Sequence, residues 1–168
     1  PELWRQTAGR LTHLEVATGT GGTVTGTGRD LKEQKPDLVV IGGDPEGSVL
    51  SGDTARPYLT EGIGEDFFPD TFDPSVVDRW VRVADRDAFL MARAVTRQEG
   101  ILVGGSCGSA VYAALEVARD YDEDTTIVVL LPDTGRNYLS KLYSDGWMRQ
   151  YGFLDAPEVT TVEQVLSS

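Results

Sequence analysis

The run Thr18-Gly19-Thr20-Gly21-Gly22-Thr23 constrains the fold more than any other part of this chain. It follows Leu11–Ala17 (LTHLEVA), whose weak alternation predicts a strand, and precedes Val24–Gln34, whose pattern predicts a helix with Thr23 as its N-cap. Pro36-Asp37 stops that helix, and Leu38–Ile41 (LVVI) predicts a short buried strand. A strand, a glycine loop, a helix and a strand form the unit from which parallel sheets are built.

The pattern then repeats. Trp80–Ala84 alternates like a strand, and Asp85 is placed to cap a helix carrying Ala88, Met91, Ala92 and Val95 on one face, which Gly100 stops. Ile101–Val103 predicts a short strand, Gly104–Ser109 a second small-residue turn, and Ala110–Tyr121 a helix with an alanine-rich face. Thr126–Leu131 (TIVVLL) is continuously apolar, as expected of a central parallel strand. Helix is expected over part of Tyr138–Tyr151, and a linker after Gly152. Between these units, Gly42–Pro74 has no sustained period and many Gly, Pro and Asp residues, the texture of a functional loop or lid. The expected fold is α/β: a three-layer, mostly parallel sheet with helices on both faces. Ligands of such sheets bind at the carboxyl edge of the strands, where both glycine turns fall.

Composition narrows the function. Asp and Glu number 27 against 15 Lys and Arg, a formal charge of −12, which argues against a nucleic-acid surface. Cys107 is the only cysteine, so neither a disulfide framework nor a cysteine-based zinc site is available. No apolar run approaches a membrane span, and a cytoplasmic setting is the default expectation. The chain starts at Pro1 and stops as an amphipathic stretch begins, so it reads as a fragment of a longer chain.

The first glycine turn has the composition of an anion cradle. Successive N–H groups without obstructing side chains can wrap a phosphate, Thr20 and Thr23 add hydroxyls, and the next helix points its positive end at the site. Two familiar patterns fail. The dinucleotide fingerprint needs Gly at a position held by Val24 or Leu31, and the nucleotide P-loop needs a Lys that Gly26-Thr27-Gly28 lacks. The remaining readings are a phosphate cradle of another type or a turn without a ligand.

The second turn, Gly104-Gly105-Ser106-Cys107-Gly108, matches the nucleophile-elbow pattern of serine hydrolases. The only histidine, His13, precedes Ser106 and lies in a strand, so no base in the usual order is available. Ser106 is then either a hydroxyl aimed at a ligand or a helix cap. Cys107 is expected to be small apolar filler, and His13 a satisfied strand residue without a metal role. Asp44, Glu46, Glu61, Glu65 and Asp66 crowd the irregular segment; a carboxylate pair there could do acid–base work, but solvated loop acids are the expected reading.

Taken together and in order, these segments resemble the cystathionine β-synthase/cysteine synthase family of fold-type II pyridoxal-phosphate enzymes. Ala17–Gly28 is similar to the family's cofactor-phosphate loop. Gly43-Asp44-Pro45-Glu46-Gly47-Ser48 and Glu61-Gly62-Ile63-Gly64 are similar to segments further along. Gly104–Ser109 resembles the turn whose serine meets the pyridine nitrogen, and Pro132-Asp133-Thr134-Gly135-Arg136-Asn137-Tyr138 with Ser144–Met148 resembles the β-synthases more than the plain cysteine synthases.

The resemblance implies the large-domain part of a tryptophan-synthase-β-like fold, with residues 1–152 as the C-terminal part of the catalytic core. Residues 153–168 would be a linker toward a regulatory module outside this chain. It implies pyridoxal 5'-phosphate as cofactor. Gly19, Thr20, Gly21, Gly22 and Thr23 would hold its phosphate, Ser106 its ring nitrogen, and Pro132 and Asp133 would lie near the ring. Gly62, Ile63 and Gly64 would line the substrate mouth. It implies a lyase that condenses serine, or an activated serine, with homocysteine. Cysteine synthesis from O-acetylserine and sulfide is one alternative, and a non-catalytic phosphate-binding module is another.

Small amino-acid substrates, the remaining N-terminal part of the enzyme and a homodimer are the implied partners. The family's Schiff-base lysine lies upstream, and Lys32, Lys35 and Lys141 have the wrong setting for it, so the chain alone should be inactive. Glu65 stands where the family often carries Tyr, and Cys107 where Ala or Ser is expected.

Overall fold

A computed structural model describes residues 1–154 and 161–167. A short helix α1 (Glu2–Gln6) leads into β1 (His13–Ala17), α2 (Gly22–Gln34) and β2 (Val39–Pro45). After a long irregular segment come β3 (Arg79–Val83), α3 (Asp85–Glu99), α4 (Gly105–Ala118) and β4 (Ile127–Val129). Two short helices, α5 (Asp145–Gln150) and α6 (Val162–Ser167), complete the described chain.

The four strands form one parallel sheet in the order β3-β2-β1-β4. β1 is central, with His13 in register with both Val39 of β2 and Ile127 of β4. Alternation along β1 explains the two cores. Leu14 and Val16 face α2 and join Val24, Leu31 and Val40, while the opposite face lies under α4. On that side α3 and α4 build a second core from Ala88, Met91, Ala92, Cys107 and Ala113. Helices therefore cover both faces of a parallel sheet, as expected.

Several local expectations change. β2 runs on through Gly42-Gly43-Asp44-Pro45 instead of ending at Ile41. The two glycines hid the strand, and each has a steric reason to be there. A side chain at Gly42 would collide with the Trp80 ring at 2.6 Å, and one at Gly43 with the Glu15 carboxyl at 2.7 Å. β4 is not central but an edge strand of the described sheet, and its residues are half exposed. Ile101–Val103 forms no strand beyond an isolated antiparallel bridge from Val103 to Thr134, and Ile101 is exposed. Gly104–Ser109 is not a free turn, because α4 begins at Gly105. Within 153–168, α6 packs against α3 and buries Val165 in the second core.

Candidate active-site cleft

The first glycine turn sits at the carboxyl edge of β1. α2 starts at Gly22, two residues earlier than predicted, and its N-cap is Gly21 rather than Thr23. The reason is conformational. Gly21 has φ of +79°, and a Cβ there would lie 2.3 Å from Cβ of Phe72. Only glycine makes the left-handed turn at that distance. The N–H groups of Gly22, Thr23 and Val24 open the helix and have no acceptor within it, so they and the helix dipole face outward from the sheet edge.

Above this turn lies a cleft of about 700 Å³. Its walls come from β1 and the turn (Val16–Gly21, Thr23, Val24), from a loop (Tyr58, Thr60, Gly62–Glu65) and from the chain after β4 (Leu130–Pro132). Its volume lies within the range of small-molecule sites, roughly 300–1,000 Å³. Of the residues predicted from sequence, Gly19, Thr20, Gly21, Thr23, Gly62, Ile63, Gly64 and Pro132 line it. Gly22, Ser106 and Asp133 do not. Gly22 contributes the start of α2 and is exposed. Ser106 is buried in the first turn of α4. The Asp133 carboxylate accepts a hydrogen bond from the Tyr138 hydroxyl (2.8 Å) and lies 3.3 Å from Cys107 Sγ.

The mouth loop rests on the phosphate loop. The Gly64 N–H donates to the Thr18 carbonyl at 2.8 Å, and a Cβ on Gly19 would stand 3.0 Å from the Gly62 carbonyl. Gly64 has φ of +75°, and a side chain there would strike Pro45 at 2.4 Å and the Tyr58 hydroxyl at 2.6 Å. Burial raises the Tyr58 hydroxyl pKa, and the carboxylates of Glu65, Asp44, Asp66 and Asp85 raise it further, so it stays a donor.

The acids divide. Glu65 lines the cleft, Glu61 forms an ion pair with Lys141, and Glu46 pairs loosely with Arg56. Asp44, expected to be solvated, is instead fully buried; its Oδ2 accepts the Ser51 N–H at 2.9 Å, and burial raises its pKa. Cys107 is buried filler as expected, its thiol pushed up to about 11 chiefly by burial. His13, expected to be satisfied, is only half so: it is buried with Nδ1 2.8 Å from the Thr12 hydroxyl, while Nε2 has no hydrogen-bond partner; burial first, then Arg79 and Lys35, lower its pKa.

Tyr58, Thr60 and Glu15 escaped sequence reading. Tyr58 and Thr60 carry no local motif. Glu15 is fully buried, neither carboxyl oxygen has a hydrogen bond of good geometry, and burial raises its pKa well above the ordinary range against a smaller lowering by the Gly43 backbone. A charged residue within an otherwise apolar strand was the available signal. The three lysines do not line the cleft: Lys32 pairs with Asp78, Lys35 donates to the Leu11 carbonyl, and Lys141 pairs with Glu61.

Residues 1–133 match the family model described as "Pyridoxal-phosphate dependent enzyme". This chain belongs to the pyridoxal-phosphate dependent enzyme family. Within that family it is 47% identical over 165 residues to a protein of Oryctolagus cuniculus named cystathionine beta-synthase, covering 95% of this chain and 30% of the relative. It is 38% identical over 146 residues to an O-acetylserine dependent cystathionine beta-synthase of Bacillus subtilis (strain 168), covering 87% of this chain and 48% of the relative. Among solved structures it resembles O-acetyl serine sulfhydrylase isoform 3 of Entamoeba histolytica, with a TM-score of 0.84 and 37% identity. That match covers 99% of this chain and 47% of the other. The chain thus spans less than half the length of each of these relatives. Among the described residues, no helix is long and apolar enough to cross a membrane.

Proposed function

We propose that residues 1–152 are the C-terminal part of the catalytic core of a β-replacement enzyme, and that the cleft holds pyridoxal 5'-phosphate by its phosphate end. The observation that carries this reading is the junction of β1 and α2. There a glycine turn and the opening N–H groups of a helix meet a cleft of about 700 Å³ at the carboxyl edge of a parallel sheet. The fit is chemical as well as spatial. Unpaired backbone donors, the threonine hydroxyls at 20 and 23 and a helix dipole suit a phosphate, each charge–dipole contact being worth about 0.3–1 kcal/mol.

In this reading Gly19, Thr20, Gly21, Gly22 and Thr23 would bind the phosphate, Ser106 would serve the ring nitrogen, and Pro132 and Asp133 would flank the ring; of these, Gly22, Ser106 and Asp133 do not line the cleft of this chain. When bound, the cofactor supplies the electron sink for loss and replacement of a substituent on the β-carbon of an amino acid. Gly62, Ile63 and Gly64 form the wall against which that amino acid lies, and their contact with Thr18 and Gly19 keeps substrate and phosphate loop in register. The Schiff-base lysine comes from the N-terminal part of the enzyme, since none of the three lysines here faces the cleft. The parent is proposed to be a cytoplasmic homodimer, with residues 153–168 leading to a regulatory module.

Serine, or an activated serine, and homocysteine are the proposed substrates, giving cystathionine. Similarity to the Bacillus and Entamoeba proteins supports a second reading, cysteine synthesis from O-acetylserine and sulfide. Steady-state assays of the full-length protein loaded with pyridoxal 5'-phosphate, pairing serine or O-acetylserine with homocysteine or sulfide, decide between them. Cystathionine from homocysteine is expected. Cofactor binding without turnover of any pair would leave a non-catalytic phosphate-binding module, and no binding would overturn the reading.

A further inference from the structure

Residues 59–65 have no regular secondary structure, yet Thr60, Gly62, Ile63, Gly64 and Glu65 form one wall of the cleft. Their position must come from individual contacts. One end is held where Glu65 N–H donates to the Ser48 hydroxyl at 3.0 Å and Gly64 N–H to the Thr18 carbonyl. The other end is held by Asp85. Its Oδ2 accepts the Leu59 N–H at 2.6 Å, and its Oδ1 accepts both the Thr60 N–H at 2.8 Å and the Thr60 hydroxyl at 2.6 Å.

Asp85 was expected to cap its own helix. The cap of α3 is Ala84, and the Asp85 side chain turns outward to the loop. Three charge-assisted hydrogen bonds accepted by one carboxylate are a strong tether. The carboxylate's charge is also favourable at a helix start. Asp85 does not line the cleft, but it fixes a residue, Thr60, that does.

We propose that Asp85 is a positioning residue for the amino-acid substrate: by tethering Leu59 and Thr60 it sets the Thr60–Gly64 wall of the cleft without touching substrate or cofactor. This rests on the β-replacement reading above. The phosphate loop is built by β1 and α2, and the wall meets it through Gly62 and Gly64, not through Leu59 and Thr60, which the tether holds. Loss of Asp85 should therefore disturb the amino acid's fit more than the cofactor's binding.

The test uses the full-length holoenzyme carrying Asp85→Ala, with Asp78→Asn as a control. Asp78 is an equally structural carboxylate, bonded to the Val40 N–H and Lys32, and lies outside the cleft wall. Asp85→Ala is expected to raise KM for the amino-acid donor about tenfold or more, the size of losing charge-assisted bonds, with cofactor occupancy kept. Backbone amides 59–64 should exchange hydrogen faster in this variant. Asp78→Asn should do neither. Thr60→Val, which loses one of the three bonds, should shift KM less, and Thr60→Ser should restore it. Unchanged exchange at 59–64 in Asp85→Ala overturns the tether. Faster exchange with an unmoved KM in an active enzyme overturns the substrate role alone. A wild-type holoenzyme without turnover overturns the functional reading and the substrate role together, while exchange still reads the tether.

Discussion

The two glycine turns are alike in sequence and opposite in structure. Thr18–Thr23 faces the cleft, which all of its residues but Gly22 line, and a Cβ on Gly22 would meet nothing within 4 Å. Gly104–Ser109 is closed. A Cβ on Gly104 would lie 2.1 Å from the Asp133 carboxylate, one on Gly105 2.8 Å from the Phe89 ring, and one on Gly108 1.9 Å from the Ala88 carbonyl. In the first turn only Gly22 leaves open space; Gly21 packs against Phe72 and Gly19 against the Gly62 carbonyl. In the second, glycine lets α4 approach α3 backbone to backbone. Composition alone does not show where a glycine turn has room; what lies within 4 Å of the missing side chain does.

The largest expected effect tests the closed turn. Gly108→Ala drives a methyl group into the Ala88 carbonyl and, at 2.7 Å, the Ala92 nitrogen, both backbone atoms that cannot rotate away. It should cost about 3 kcal/mol or more in chemical denaturation, the upper range of overpacking. A cost under about 1 kcal/mol would mean that the seam is not tight.

Glu15 probes the region between the turns. It lies on β1, which feeds the open turn, but on the face covered by α4: a side chain at Gly43 would meet both the Glu15 carboxyl and Ala113. Its pKa is raised in the folded state from an ordinary 4.5. Above that pH the unfolded chain releases a proton that the folded chain retains, so stability falls as pH rises. Glu15→Leu should therefore stabilise the fold at neutral pH by about 1–3 kcal/mol, the cost of an unsatisfied buried polar group. The gain should shrink as the pH approaches 4.5. A variant less stable than wild type at pH 7 would show that the carboxyl is satisfied.

Smaller effects belong to the open turn and to the thiol. Gly22→Ala should change stability by no more than about 1 kcal/mol, in the favourable direction, because it adds helix propensity without a clash. Denaturation of this variant beside Gly108→Ala gives the contrast between the turns directly. Cys107, with its thiol held near 11, should resist iodoacetamide at pH 8 in the folded protein and react once unfolded. Rapid labelling of the folded protein would contradict the closed reading of the second turn.

Much of this was legible in sequence. The strand–glycine–helix unit predicted β1, α2 and the carboxyl-edge site, because turn chemistry and periodicity are local properties. What escaped depends on neighbours far along the chain. Gly42 and Gly43 belong to a strand because Trp80 and Glu15 fill the space beside them. Asp85 tethers a loop 25 residues earlier rather than capping its own helix. Asp44 looks like its solvated acidic neighbours in sequence because burial has no local signature. β4 has the apolar pattern of a central strand, yet it pairs only with β1 among the described strands.

The central claim is that the Gly19–Thr23 loop holds the phosphate of pyridoxal 5'-phosphate. Equilibrium titration of the full-length protein with pyridoxal 5'-phosphate and with pyridoxal, in wild type and Thr23→Val, tests it most directly. Wild type should prefer the phosphorylated form, and Thr23→Val should lose about tenfold in its affinity while binding pyridoxal unchanged, as expected for one lost hydrogen bond to a charged group. Equal affinity of wild type for the two forms, or a Thr23→Val loss shared equally by both, would contradict it.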